Sequence, residues 1–430
     1  MEQLSPGKED EELAVALQTL TRQVLGEMTG RQLANTLHST ATLHVAGRAR
    51  ADDELVQQLA SRSLEVLRTQ PGSFNSQGVA NTMWALGKLG AKVDQELAKA
   101  MQRRAIEIAA TFNSQGVSNL VWALATLEVE VDPQLVTVMQ DRAIGIVDKF
   151  NSQDISNLVW ALAKLEMGVY PALAKAMKRR STEIAATFKP QEVANTMWAL
   201  ATLGVEVDPQ LATVMQDRAI KIADGFNSQN VANLVWAGTC FDLSAVESTP
   251  AFFDSMAARI FNLLGSQNPA DQFTAADKSQ LHQWFLSCQI DDSLRGRLPE
   301  SVMLLIETLG EECRAALPYS GNGSSESRLQ EDVCAALERT FPEMEILWEY
   351  REPTSWYSID MLVRSRSAGD VDPSETRGGG HLGYAVEVDG PTHFLELRQL
   401  GYTVVSVPFW EWRALKGGQE QEEYLHRKFM

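Results

Sequence analysis

"FNSQGVANTMWALGKLG", residues 74–90, decides the fold, because the chain writes it again as "FNSQGVSNLVWALATLE" (112–128), "FNSQDISNLVWALAKLE" (150–166), "FKPQEVANTMWALATLG" (188–204) and "FNSQNVANLVWAGTCFD" (226–242). The leading aromatics Phe74, Phe112, Phe150, Phe188 and Phe226 are 38 residues apart, as are Trp84, Trp122, Trp160, Trp198 and Trp236. A strict period of this size is the signature of a stacked repeat array. Looser copies extend it: "RQLANTLHSTATLH" (31–44) keeps the Asn as Asn35, and "FTAADKSQLHQWFLSC" (273–288) carries a Trp that reads as the repeat Trp, Trp284. Six to seven units are expected.

Each unit reads as a helical hairpin. An aromatic followed by Asn75 or Ser76 is a helix start of the hydrophobic-staple kind. Val79, Met83, Trp84, Leu86 and Leu89 then recur at three- and four-residue steps and give one apolar face. The second helix follows a short connection in which Asp94, Asp132 and Asp208 are expected as N-caps, with Pro133 and Pro209 at the first helical position. Leu97, Met101 and Ile108 form its buried stripe.

At 430 residues, with 44% hydrophobic and 22% charged residues, the composition is that of an ordinary soluble protein. No apolar run approaches the roughly 20 residues of a membrane span, so no membrane partner is expected. Cys240, Cys288, Cys313 and Cys334 form no CxxC pair, which fits reduced thiols better than a disulfide frame or a zinc site. The start "MEQLSPGKEDEELAVALQ" has neither a signal-peptide core nor the Arg-rich character of a transit peptide. A net charge of -18 argues against loose electrostatic binding of nucleic acid. Its distribution softens that objection: residues 74–240 hold 15 Lys and Arg against 16 Asp and Glu, while residues 321–430 hold 11 against 19.

Candidate contacts lie on the polar side of the array. Gln77, Asn81 and Lys88 line one side of the first helix. The Asn recurs as Asn119, Asn157, Asn195 and Asn233, and two roles are open to it: a hydrogen-bonded ladder between repeats, or contact with a ligand. One first-turn column varies among Gly78, Gly116, Asp154, Glu192 and Asn230, and is expected to be exposed. Read as a modular code it would present a different donor or acceptor to each base; neutral drift is the alternative. The second helix carries one Arg per unit, Arg62, Arg104, Arg142, Arg180, Arg218 and Arg259, placed either to follow a phosphate backbone or to pair with neighbouring acids. The Trp column invites base stacking, although its place among apolar residues reads first as core packing between repeats.

After "SGNGSSES" (320–327), a linker in composition, the pattern changes. A helix, "SRLQEDVCAALERTF", precedes three strand-like segments, "YSIDMLV", "GYAVEVDG" and "YTVVSVP", with residues 368–383 as a loop. The expected organisation is a lead-in (1–27), a repeat array (28–315, clear over 74–240), a linker (316–327) and an α+β module (328–430). The fold class is therefore an α-solenoid of helical-hairpin repeats followed by a small α+β domain.

The 38-residue period around "WALA" resembles the octotricopeptide repeat family. That resemblance implies a solenoid binding single-stranded organelle RNA, in transcript stability, processing, splicing or translation, in a mitochondrion or chloroplast. It would read about one base per repeat on a concave face of first helices, roughly six nucleotides in all. The C-terminal "YAVEVDGPTHF…LRQLGYTVVSVPFWEW" resembles the RAP domain of organellar RNA-binding proteins, including relatives of the Fas-activated kinase family. It departs from that pattern in the near absence of an insert before "LRQLGY". The module also resembles the restriction-endonuclease-like fold. That likeness implies Asp360, Glu387 and Asp389 as candidate catalytic acids, Asp360 and Glu387 as ligands for Mg²⁺, and His393 nearby. The lysine of that site is replaced by Asp389, which favours binding over cleavage. Three functions follow: sequence-specific RNA binding, metal-dependent RNA cleavage guided by the repeats, and a protein-interaction solenoid. Single-stranded RNA and other RNA-processing proteins are the partners these imply.

Overall fold

The computed structural model describes residues 8–241, 246–268, 272–290, 296–316, 328–352, 358–366, 383–388, 397–398 and 400–429. They fall in two units, Met1–Ala199 and Leu200–Met430. The first holds α1 (Lys8–Val24), α2 (Gly30–Val45), α3 (Asp53–Thr69), α4 (Ser76–Lys88), α5 (Gln95–Glu107), α6 (Ser114–Leu127), α7 (Pro133–Gly145), α8 (Ser152–Lys164) and α9 (Pro171–Ile184); α10 (Pro190–Thr202) carries the boundary. In this unit the first helices α2, α4, α6 and α8 pack successively on one another, and the second helices α3, α5, α7 and α9 do the same. That neighbour-on-neighbour packing defines a solenoid.

Local chemistry explains the period. Asn75, Asn113 and Asn151 accept the N3 backbone N–H of α4, α6 and α8 at 2.7–2.8 Å, so Asn rather than the following Ser is the cap. The freed Ser hydroxyls then donate onward, Ser76 to the Thr111 carbonyl and Ser114 to that of Lys149, both at 3.1 Å. Phe74, Phe112 and Phe150 are fully buried beside these starts. Asp94 and Asp132 cap α5 and α7 as expected. At the far end of the first helix a left-handed residue turns the chain: Gly90 and Gly204, but also Glu128 and Glu166.

The second unit continues the hairpin pattern with α11 (Pro209–Lys221), α12 (Ser228–Thr239), α13 (Thr249–Leu264), α14 (Ala275–Ile290) and α15 (Glu300–Ala315). Here α12 packs on α14, α11 on α13, and α13 on α15. The expected match of Trp284 to the repeat Trp is corrected. Thr274 and Asp277 form the cap of α14, which sets Gln283 at the Trp place and Trp284 one residue on, fully buried. Trp236 donates its indole N–H to Gln283 Oε1, joining the two repeats through that column.

Beyond the linker, most of which (317–327) lies outside the described residues, comes α16 (Arg328–Thr340). It is followed by β1 (Met344–Arg351), β2 (Ser358–Ser365), β3 (Gly383–Val388), β4 (Tyr402–Val407), α17 (Phe409–Trp412) and α18 (Gly418–Phe429). The sheet order is β1-β2-β3-β4, antiparallel except for the parallel β3–β4 pair. β1 was not among the expected strands. Met361, Val363, Val386, Val388, Val405 and Val407 pack with Val333 and Leu337 of α16 and Tyr424 and Leu425 of α18. A second cluster joins Ile359, Leu362, Ala385, Leu397 and Tyr402 to Leu286 of α14.

Candidate nucleic-acid interface

The varying first-turn column is not exposed. Gly78, Gly116, Asp154, Glu192 and Asn230 are all buried at the N3 position of their helices. The Asp and Glu side chains reach back to the N-cap: the Asn151 N–H donates to Asp154 Oδ2 at 3.4 Å, and the Lys189 N–H to Glu192 Oε2 at 3.0 Å. Burial raises the Asp154 carboxyl above its ordinary range, against hydrogen bonds that lower it. At Asp154 this completes a capping box, and in both repeats the backbone N–H at the helix start is the reason for an acid at this position.

The arginine column is likewise tied into the framework. The Nε–H groups of Arg104, Arg142 and Arg180 donate to the carbonyls of Phe74, Phe112 and Phe150 at 3.0, 2.7 and 3.0 Å. Each clamps a second helix onto the loop that leads into the first helix of its own repeat. Arg259 does the same to Phe226 in the second unit, at 2.7 Å. Arg104 and Arg180 also pair with Glu107 and Glu183 three residues on, and Arg218 is also engaged.

What remains open is a stripe along the first helices, at steps of four, three and four. In α4 it is Gln77, exposed, then Asn81 and Trp84, partly exposed, then Lys88. In α8 it is Gln153, Asn157, Trp160 and Lys164, and in α6 it is Gln115, the more buried Asn119, Trp122 and Thr126. Asn195 and Trp198 of α10 keep the same partial exposure. In the second unit Asn233 is partly exposed while Trp236 is buried. Within the first unit the tryptophans are therefore not simply core. The His38 ring lies 4.9 Å from that of Trp84, and Lys88 Nζ sits 4.1 Å from the Trp122 centroid and 6.0 Å from that of Trp84. Desolvation beside these rings lowers the Lys88 pKa. An aromatic face, two amides and a cation in register are what stacking and hydrogen bonding to an unpaired nucleotide require. Helical periodicity carries this signal, since Trp84 falls both beside Met83 and Leu86 and on the Gln77–Lys88 line.

In the sheet, Asp360 and Glu387 come together. The β2–β3 register sets them directly opposite, and Asp360 Oδ2 accepts the Val388 N–H at 2.7 Å. Glu387 is only 5% exposed, and its Oε1 is buried without a hydrogen-bond partner. Burial, then Asp360, then Glu349 of β1 push its carboxyl well above the ordinary glutamate range. Glu349 adopts a left-handed conformation, φ 46°, between the paired residues Trp348 and Tyr350. Asp389 and His393 lie outside the described residues. Among the described residues, which do not include Asp389 or His393, no group of three or more His, Cys, Asp or Glu side chains could hold a metal ion.

No described helix is long and apolar enough to cross a membrane. The family model of the RNA-editing substrate-binding complex 6 protein matches residues 9–132 and again 131–285, and the RAP domain model matches residues 397–428. No curated protein matches the chain significantly. The doubled match falls on the repeats, which carry the Gln, Asn and Trp stripe, and the second on β4 and the helices after it. On the strength of the repeat match, which spans more than half of its length, the chain belongs to the RNA-editing substrate-binding complex 6 protein family.

Proposed function

We infer that the protein binds single-stranded RNA along the Gln–Asn–Trp–Lys stripe of its first helices and acts in organelle RNA metabolism. The observation that carries this reading is the partial exposure of Trp84, Trp122, Trp160 and Trp198 at one position of successive first helices, each beside an Asn. A core tryptophan would be sealed, as Trp284 is. The substrate-binding and RNA-editing terms of the matched family, together with the RAP domain, support RNA as the ligand. The 38-residue period supports an octotricopeptide-like use of one repeat per base. The buried N3 column is better placed to hold the helix start than to read a base, so discrimination falls to the exposed Gln and Asn.

Fluorescence anisotropy with a panel of labelled single-stranded RNAs tests this. Trp160→Ala, shown to be folded by circular dichroism, is expected to lose about tenfold in affinity, the size of one stacked base. Lys175→Ala, at an exposed position of α9, is expected to change nothing. Equal affinities for both variants and wild type would refute the stripe. The C-terminal acids are assigned to shaping the module rather than to cleavage. Wild type incubated with RNA and Mg²⁺ is expected to leave the strand intact, and cutting abolished by Glu387→Gln would make the protein a nuclease.

A further inference from the structure

Helix α1 is amphipathic the wrong way round for a helix lying on a protein. Ala14, Gln18, Thr21 and Arg22 occupy its less exposed side. Gln18 donates to the Arg50 carbonyl at 3.2 Å, and Arg22 pairs with Asp52, the N-cap of α3, at 2.6 Å. These polar contacts fix the orientation of the helix. Leu13, Leu17, Leu20 and Val24 are thereby turned to solvent, each with 50 to 59% of its surface exposed.

Their spacing of four, three and four is that of the a and d positions of a heptad, the pattern that lets one helix seat against another. The positions flanking the seam, Ala14, Ala16, Thr21 and Gln23, carry no charge. Two identical seams can therefore meet without repulsion along their length. The helix sequence opens with Glu9, Asp10, Glu11 and Glu12 and has Arg22 in its last turn. Parallel pairing would bring two acidic starts side by side, whereas antiparallel pairing separates them and also opposes the helix dipoles. Antiparallel pairing of identical seams closes on a two-fold axis, with the same patch used on both sides.

We propose that α1 is a self-association element, and that two copies of this chain pair through it as an antiparallel helix pair. Leu17 then lies against Leu20 across the axis and Leu13 against Val24. The seam is only three turns long, so the association is reversible rather than obligate.

Sedimentation velocity of the full chain from micromolar concentration upward tests this. Wild type is expected to pass from monomer to dimer. Leu17→Glu, at an exposed position and so expected to fold with unchanged circular dichroism, should weaken the dimer about tenfold or more. Adding Leu20→Lys to Leu17→Glu places opposite charges against each other only in the antiparallel register, and should restore the dimer. A wild type that stays monomeric up to its solubility limit would overturn the proposal. So would a dimer indifferent to Leu17→Glu, or a double variant no better than the single one. RNA binding is read separately, so loss of the dimer with intact RNA affinity leaves the reading of the stripe untouched.

Discussion

Glu128 and Glu166 show how the repeat tolerates imperfect residues. Both take φ near +50°, the conformation that Gly90 and Gly204 supply at the same place in their own repeats. A side chain there costs about 1 kcal/mol that glycine avoids. Glu128→Gly is thus expected to raise stability by roughly 0.5–1 kcal/mol in urea denaturation; a loss would mean that the side chain makes contacts outweighing the strain. A different column works in the opposite sense. Gln102 and Gln140, both buried in second helices, each grip the next connection twice. Gln140 donates to the Gly168 carbonyl at 3.0 Å and accepts the Tyr170 N–H at 2.8 Å, and Gln102 does the same with Glu130 and Asp132. Gln140→Ala removes both bonds of this buried side chain and is expected to cost about 1–2 kcal/mol. The exposed Gln153→Ala should stay within about 0.5 kcal/mol.

At the scale of the element, the first helix must do two things with one surface. Val79, Met83 and Leu86 seal it against its neighbours, while Gln77, Asn81, Trp84 and Lys88 share the open side. The N3 position belongs to the first task. Glu192→Asn removes a carboxylate that accepts the Lys189 N–H, so a stability loss of about 1 kcal/mol is expected, with base preference unchanged across an RNA panel. A shift in preference at one base would instead return this column to the role of a code.

The molecule as a whole is acidic, and that limits how it can hold RNA. Lys88 and Lys164 are the cations of the stripe in α4 and α8. The salt dependence of affinity should therefore be shallow, a slope of roughly -1 to -2 in log K against log salt. A slope steeper than about -5 would point to a different, basic surface. The C-terminal module has its own pH response. With the folded pKa of Glu387 raised above its ordinary value of 4.5, the contribution of this group to stability is greatest below that value. It declines as pH rises toward the folded pKa and then levels off. Thermal unfolding from pH 4 to 8 should show this decline in wild type and lose it in Glu387→Gln; identical profiles would place the proton elsewhere.

Much of this was legible in the sequence because it is repeated. A 38-residue period with Asn caps, Asp caps and apolar steps determines helical hairpins and their neighbour packing, since each of those effects is local or reaches only one repeat. The alternation in β2, β3 and β4 was legible for the same reason, whereas β1, with Glu345 and Glu349 among its apolar residues, was not. Exposure was decided by the tertiary structure alone. A varying polar residue at N3 looks free until the neighbouring helix covers it, and a Trp on an apolar line looks sealed until the packing leaves it partly exposed. The Arg104 clamp onto Phe74 and the meeting of Asp360 with Glu387 join residues 30 and 27 positions apart. Helix and strand periodicity fix only the direction in which a side chain points; what it meets there depends on a second segment, which only the folded chain brings near.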